Sequence, residues 1–287
     1  MDIGVFFFPS DYSIALTELA VELELRGFES LLVCEHTHIP ASRKTEWPGG
    51  GDLPAEYYHT YDPFVGLAFA ASVTKTLKIG TGICLVPQRD PFNLAKSVAS
   101  IDRLSGGRFI FGIGGGWNVD EMENHGIAYN SRFKVLRETI LAAKQLWIEE
   151  KGEYHGEFVD FDPVFSSPKP IQTPHPPILL GGQTDHTLRR VVEFCDGWLP
   201  LGPIDMVDGI ARLSRFADAA GRDMAALSTN VFQMASLTTL VSKTDESNKT
   251  ALQGYAEAGV NRVLLQIPTA DRDTCLKTLD NYMPLIG

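Results

Sequence analysis

The sequence is poor in basic residues and in cysteine. It has 25 Lys and Arg against 36 Asp and Glu, a formal net charge of -11. Nucleic acids and anionic membranes attract basic surfaces, so neither is expected as a partner. The cysteines, Cys34, Cys84, Cys195 and Cys275, show no CxxC or Cys/His metal spacing. We therefore expect no metal site. We also expect the cysteines to be free thiols, as is usual in the cytoplasm.

Long apolar runs and a basic leader are also missing. No apolar stretch approaches the roughly 20 residues that a membrane helix needs. The first residues, MDIGVFFFPSD, are apolar but contain Asp2 and no preceding Lys or Arg. This pattern favours a first strand over a signal peptide. We expect a soluble, cytoplasmic protein whose partner is a small molecule.

What the sequence has is a regular alternation of short apolar runs and amphipathic segments. Strands are predicted at residues 3–8, 30–34, 78–84, 108–113, 178–180, 198–199, 230–239 and 262–267. Continuous apolar strands that alternate with helices indicate a parallel sheet with both faces covered. About eight such units without a domain break favour a TIM (β/α)8 barrel, one domain over residues 1–287, over an open doubly wound sheet.

Proline and aspartate predict where several helices begin. Pro63 and Pro91 follow Asp62 and Asp90, which suits Pro at the first helical position after an Asp cap. By the same reasoning Asp11 is predicted to cap the first helix. Two intervals interrupt the alternation: residues 37–61 are predicted to form a mobile lid at the mouth, and the proline-rich residues 151–177 an extended insertion.

The active site of a (β/α) barrel lies at the carboxyl ends of its strands, so the residues that follow each apolar run are the candidates. Glycines there allow a ligand to approach the main chain, and a helix that begins near Thr184 could bind an anion at its N-terminus. A tight turn with Thr184 as a simple cap is the alternative. The candidates are Glu35, His36, Gly82, Ile83, Cys84, Gly114, Gly115, Gly116, Trp117, Gly181, Gly182, Gln183 and Thr184.

Five segments in order carry a family resemblance: GFESLLVCEH, KIGTGICLVPQRDP, DRLSGGRFIFGIGGGWNVDE, PKPIQTPHPPILLGG and CDGWLP. Through them the chain resembles the bacterial luciferase-like superfamily, particularly its coenzyme F420-dependent oxidoreductases. The resemblance implies a TIM barrel with FMN or F420 at its mouth and a non-prolyl cis peptide at Gly82–Ile83. It also implies that Glu35 and His36 belong to the catalytic site, with His36 as acid or base or as a ring contact.

Two departures from relatives bear on the cofactor and the substrate. Trp117 stands where sugar-phosphate dehydrogenases of the superfamily have glutamate, and Gly115 where luciferase has a phosphate-binding arginine. We therefore expect F420-dependent hydride transfer to or from a small, rather apolar substrate. The alternatives are an FMN-dependent monooxygenase and a non-catalytic flavin-binding protein. Relatives are often homodimers, and a homodimer is expected here.

Overall fold

Eight parallel strands close into a barrel in the computed structural model, which describes residues 1–202, 204–233 and 245–286, with the backbone alone for 245–249. In spatial order they are β1 (Asp2–Phe7), β10 (Arg262–Gln266), β9 (Ser228–Gln233), β8 (Gly197–Leu199), β7 (Ile178–Gly181), β4 (Phe109–Gly114), β3 (Lys78–Leu85) and β2 (Ser30–Val33). The predicted TIM barrel is confirmed. The end of the predicted strand 230–239 lies outside the described residues.

Helices surround the barrel. They are α1 (Leu16–Leu25), α2 (Glu56–His59), α3 (Pro63–Val73), α4 (Pro91–Leu104), α5 (Val119–Asn124), α6 (Arg132–Ile148), α7 (Asp185–Phe194), α8 (Met206–Ala219), α9 (Asp245–Glu257) and α10 (Arg272–Tyr282). No helix among the described residues is both long and apolar enough to cross a membrane.

The proline and aspartate signals place the starts of α3 and α4 correctly. The Asp62 carboxylate accepts a hydrogen bond from the N–H of Val65, and Asp90 accepts one from that of Asn93. The prediction for Asp11 is wrong, because α1 begins only at Leu16 and has no side-chain cap. Asp11 instead pairs with the His59 imidazole, 2.9 Å away.

The barrel wall separates two groups of apolar side chains, because successive residues of a strand point to opposite faces. Phe7 packs outward with the helices, whereas Phe6 and Phe8 belong to an inner cluster with Leu199, Phe232 and others. At the amino end of the strands, Arg262 binds Glu29 through two hydrogen bonds of 2.7 and 2.6 Å. This pair links the last strand of the barrel to the residue before β2.

The two intervals that interrupt the alternation have defined structure. Within residues 151–177, β5 (Lys151–His155) and β6 (Asp160–Phe165) form an antiparallel hairpin outside the barrel. Strands were not expected there, and β6 contains Pro163, which a two-stranded sheet tolerates because its strands are edges. Residues 37–61 cross the mouth and contact α5: the Asp120 carboxylate accepts hydrogen bonds from the N–H and the hydroxyl of Thr45.

Candidate active site

A cavity of about 380 Å³ opens at the carboxyl ends of the strands. Its size falls within the usual range for small-molecule sites. Its walls are mainly apolar and aromatic, and the polar side chains among them are Cys34, Glu35, His36, Tyr57 and Trp117. Of the sequence candidates, ten line it: Glu35, His36, Gly82, Ile83, Gly114, Gly115, Gly116, Trp117, Gly181 and Gly182.

The floor of the cavity is built by the irregular end of β3. The Gly82–Ile83 peptide bond is cis, as expected, and the register with β4 shifts between Thr81 and Cys84. Ile83 lies against Gly114, where a Cβ would come within 1.9 Å of the Ile83 Cδ1. Gly114 therefore leaves room for the Ile83 side chain. The absence of a side chain at Gly114 thus shapes the floor of the cavity, and it also leaves space for any ligand above that floor.

Cys84 does not line the cavity, contrary to the expectation for it. It follows Ile83 in β3 and points to the opposite side of the wall, where it is fully buried in the outer core. Burial raises the pKa of its thiol well above the ordinary value. Cys34 does line the cavity and donates to the Gly82 carbonyl at 3.1 Å, and burial raises the pKa of its thiol too.

His36 is held by a carboxylate that the sequence did not single out. Its Nδ1 lies 2.8 Å from Oε2 of Glu121, whose side chain is 0% exposed. Because a carboxylate accepts hydrogen bonds, this contact assigns the proton to Nδ1. No described residue hydrogen-bonds Nε2, and the ring lines the cavity. The arrangement leaves Nε2 available to a ligand.

The Glu35 carboxylate has partners on both oxygens. Oε2 accepts from the Leu85 N–H and Oε1 from the Arg89 Nε, each at 2.6 Å. Arg89 also binds Asp62, at 2.7 Å. Burial lowers the pKa of Arg89, but the facing Glu35 charge and these hydrogen bonds outweigh it and raise the pKa. Glu35 thus anchors the end of β3 to the loop that precedes α4.

Tyr57, from residues 37–61, forms the roof. Its ring centroid lies 4.9 Å from that of Phe8, 5.0 Å from His36 and 6.2 Å from Trp117. The Trp47 indole N–H donates to its hydroxyl at 3.2 Å. Burial raises the pKa of Tyr57 to about 12, so the phenol is neutral at physiological pH. Tyr58, in contrast, is mainly exposed.

Only some of the residues predicted to form the site at the end of β7 line the cavity. Gly181 and Gly182 line the cavity, and Gly182 has a φ of 122°, which favours glycine. Thr184 and Gln183 do not line it. The Thr184 hydroxyl accepts from the Thr187 N–H and so caps α7, whereas the Gln183 amide donates to the Leu201 carbonyl. The cap that was weighed as an alternative for Thr184 is therefore present.

Sequence reasoning missed Glu121 and the inner aromatic residues of the cavity. Phe6 and Phe8 could have been found from strand alternation, since they lie two residues apart along the first strand and its end, and Phe232 could have been found from the same alternation within β9. Glu121 had a weaker signal: it is three residues after Asn118, a spacing typical of a helix start. Asn118 does cap α5. The Glu121 side chain, however, turns to His36 and to the Thr37 N–H.

The parallel barrel, the bulged third strand and the cis peptide in the cavity floor are the features that the resemblance to the luciferase-like superfamily implied. The model of the luciferase-like monooxygenase family matches residues 9–273. The chain belongs to this family.

Two relatives give the range of sequence similarity. An uncharacterised protein of Mycobacterium tuberculosis (strain ATCC 25618 / H37Rv) is 36% identical over 278 residues, which cover 95% of this chain and 94% of the relative. The oxygenase component of the flavin-dependent trigonelline monooxygenase of Acinetobacter baylyi is 40% identical over 136 residues, 46% of this chain and 37% of that protein.

Solved structures of a monooxygenase and of a coenzyme F420-dependent reductase share the fold. The monooxygenase RslO1 from Streptomyces bottropensis superposes with a TM-score of 0.78 at 20% identity, covering 99% of this chain and 98% of the other. The coenzyme F420-dependent tetrahydromethanopterin reductase from Methanopyrus kandleri gives 0.73 at 18%, covering 98% and 97%. At these identities the likeness concerns the fold alone.

Proposed function

We propose that the protein is a coenzyme F420-dependent oxidoreductase that transfers a hydride between the deazaflavin and a small organic substrate. The observation that carries the proposal is the cavity itself. Its floor is the Ile83 side chain, its walls are glycines and apolar side chains, and one imidazole nitrogen faces it without a partner. A flat, largely apolar ring fits such a lining. When bound, the deazaflavin supplies the hydride.

The protein contributes a proton position, orientation and water exclusion. Glu121 fixes the tautomer of His36, so that Nε2 is the atom that takes up or returns a proton next to the substrate. Glu35 has no free oxygen for this step. We therefore propose that Glu35 is a positioning residue, which holds the end of β3 beneath the ring. Tyr57 closes the cavity above with a neutral side chain.

The substrate class follows from the lining. Around the cavity, Phe6, Phe8, Leu199, Leu201 and Phe232 supply apolar contacts, and the Glu35 charge is balanced by Arg89. No Lys or Arg is among the described residues that line the cavity, so an anionic substrate in contact with these walls would lose its hydration without gaining a cationic partner from them. We propose an uncharged substrate with apolar or aromatic character.

The second candidate is an FMN-dependent monooxygenase. The similarity to the flavin-dependent trigonelline monooxygenase supports it. Against it stands Gly115, which cannot supply the arginine expected for the FMN phosphate in luciferase. A Cβ at Gly115 would lie 2.9 Å from the Phe133 ring, so a side chain is not accommodated there without movement.

Titration of the purified protein with oxidised F420 and with FMN, followed by ring absorbance and fluorescence, separates the two functions. We expect micromolar affinity for F420 and none for FMN. Binding of FMN alone would reverse the order of the candidates. A bound cofactor that no donor or acceptor reduces or reoxidises would instead support a non-catalytic flavin-binding protein.

We also propose that the protein is a homodimer and that α3 lies in the interface. This helix contains no charged residue, and Val65, Phe69 and Val73 on it are exposed by 60%, 62% and 44%. An exposed helical face of this composition is typical of a surface that another protein covers. A second copy is the proposed partner, as the resemblance implies, and the N-terminal end of α3 lies near the site because its cap Asp62 binds Arg89, the partner of Glu35. A cytoplasmic location remains a prediction.

A further inference from the structure

Two arginines flank one aromatic ring beside the cavity. Arg132, the first residue of α6, and Arg190, on α7, place their guanidinium carbons 4.6 and 4.3 Å from the centroid of Phe133. Phe133 lines the cavity and packs beside Gly115. Because Phe133 lines the cavity, the two guanidinium groups lie directly beside that part of its wall.

Neither arginine has a carboxylate partner in the described part of the chain. Arg132 donates to the Tyr129 carbonyl at 2.8 Å and stacks on the Tyr129 ring, but its Nε is buried and has no hydrogen-bond partner. Arg190 makes only the contact with Phe133. Glu193, one turn below Arg190, binds Arg137 instead. In a protein whose net charge is -11, the described residues thus leave two neighbouring cations without a bonded counter-charge, and the nearby Glu193 charge only partly offsets the effects of burial and of Arg132 on the pKa of Arg190.

The pKa of Arg190 agrees with the absence of a bonded carboxylate partner. Burial, followed by the positive charge of Arg132, lowers the pKa of Arg190. An anion between or beside the two guanidinium groups would offset both effects. α7 is ten residues long, and its N-terminus, with Thr184 as cap and Gly182 two residues before the cap, adds a favourable dipole on the same side.

We propose that Arg132 and Arg190 bind the phosphate group on the side chain of the cofactor. The proposal rests on the proposed function, because it assumes a ring cofactor in the cavity. F420 and FMN both carry a phosphate on the ribityl chain, a diester in F420 and a terminal monoester in FMN, so the assignment does not by itself distinguish the two cofactors. The proposed site differs from the site expected from sequence, which consisted of Gly181, Gly182 and Thr184.

The experiment compares each cofactor with its form lacking phosphate. Wild-type protein and the variant Arg190→Gln are titrated with the ribityl deazaflavin 5′-phosphate, with the same compound without phosphate, with FMN and with riboflavin, and binding is followed by ring fluorescence. Arg189→Gln is the matched control, because Arg189 is the adjacent arginine of α7 but is exposed and stacks on Phe216. Arg132→Gln is a second variant, and thermal unfolding checks that each protein is folded.

We expect Arg190→Gln to weaken binding of the phosphorylated cofactor by roughly 10- to 100-fold, the size of a lost charge-assisted hydrogen bond. Affinity for the form without phosphate should stay within about twofold, and Arg189→Gln should resemble the wild type. Equal losses for both forms, or no loss for either, would overturn the phosphate assignment and leave the proposed function standing. If the wild type binds none of the four compounds, the proposed function fails, and the phosphate assignment fails with it.

Discussion

The contact between Gly114 and Ile83 allows a stringent test of how the cavity floor is built. An added Cβ at Gly114 would lie 1.9 Å from the Ile83 Cδ1. The Ile83 side chain must therefore move, and overpacking of this kind costs about 1–3 kcal/mol of stability. Ile83→Val removes one methylene unit from the crowded end of the side chain. We expect Gly114→Ala to be costly beside isoleucine and much less so beside valine.

The measurement is a double-mutant cycle in urea, with the free energy of unfolding obtained for the wild type, both single variants and the double variant. Ile83→Val alone should cost at most about 0.5–1.5 kcal/mol. The two substitutions should show a favourable coupling of about 1 kcal/mol or more. Cofactor affinity, where it is measurable, should fall in Gly114→Ala and recover in the double variant, because the displaced Ile83 side chain would otherwise enter the cavity.

Gly112, two residues earlier on β4, is the matched control. A Cβ there would lie 2.1 Å from the main-chain carbonyl oxygen of Thr81, which cannot rotate away. Gly112→Ala should be strongly destabilising whether residue 83 is isoleucine or valine. If the cost of Gly114→Ala is the same in both backgrounds, within about 0.5 kcal/mol, the steric account of the floor is wrong.

Three further predictions concern the histidine, acid stability and the oligomer. His36→Ala should lower turnover by about 10²- to 10⁴-fold, and Glu121→Gln should lower it by about 10- to 100-fold. Titrations should show unchanged cofactor affinity for both variants. If the losses of turnover are additive in the double variant, the two residues do not share one role. Burial raises the pKa of Glu29, but hydrogen bonds and charge from Arg262 outweigh it and lower the pKa to about 2. The stabilisation is complete above the ordinary pKa of 4.5 and disappears as the pH falls through about 2. Glu29→Gln should therefore cost about 3 kcal/mol at pH 7 and almost nothing at pH 2 in unfolding measurements. Phe69→Glu should yield monomers in light scattering; an unchanged mass would place the interface elsewhere.

The architecture was predictable because it depends on local patterns. Apolar runs mark the buried strands, and the Asp-Pro pairs at residues 62–63 and 90–91 mark helix starts through a missing N–H and a side-chain cap. Asp11 shows the limit of such reasoning. Its sequence context suits a cap, but the chain continues irregularly to Leu16, and a contact with His59, 48 positions away, determines where the aspartate side chain lies.

The candidate site was predictable where backbone determines it and unpredictable where side chains meet across the fold. The bulge at Gly82 and Ile83 follows from its motif. Glu121 reaches His36 across 85 positions of sequence, and no local pattern indicates that contact. Gly182 shows a related difficulty: a Cβ there would lie 2.7 Å from the Thr187 Oγ1. A substitution such as Gly182→Val would therefore disturb α7 as well as any ligand at this position.

Two neighbouring residues in one turn of α5 bind the segment that crosses the mouth, and one of them also binds His36. Asp120 binds Thr45 in the segment across the mouth, and the next residue, Glu121, binds both Thr37 of that segment and His36. A displacement of the segment that breaks these bonds also shifts the carboxylate behind the imidazole. We therefore expect entry to the cavity and the orientation of the His36 ring to be linked. When the segment is in place, a molecule enclosed beneath it faces an oriented imidazole ring. When the segment is displaced, bulk water that enters the cavity faces a ring that is no longer held in that orientation.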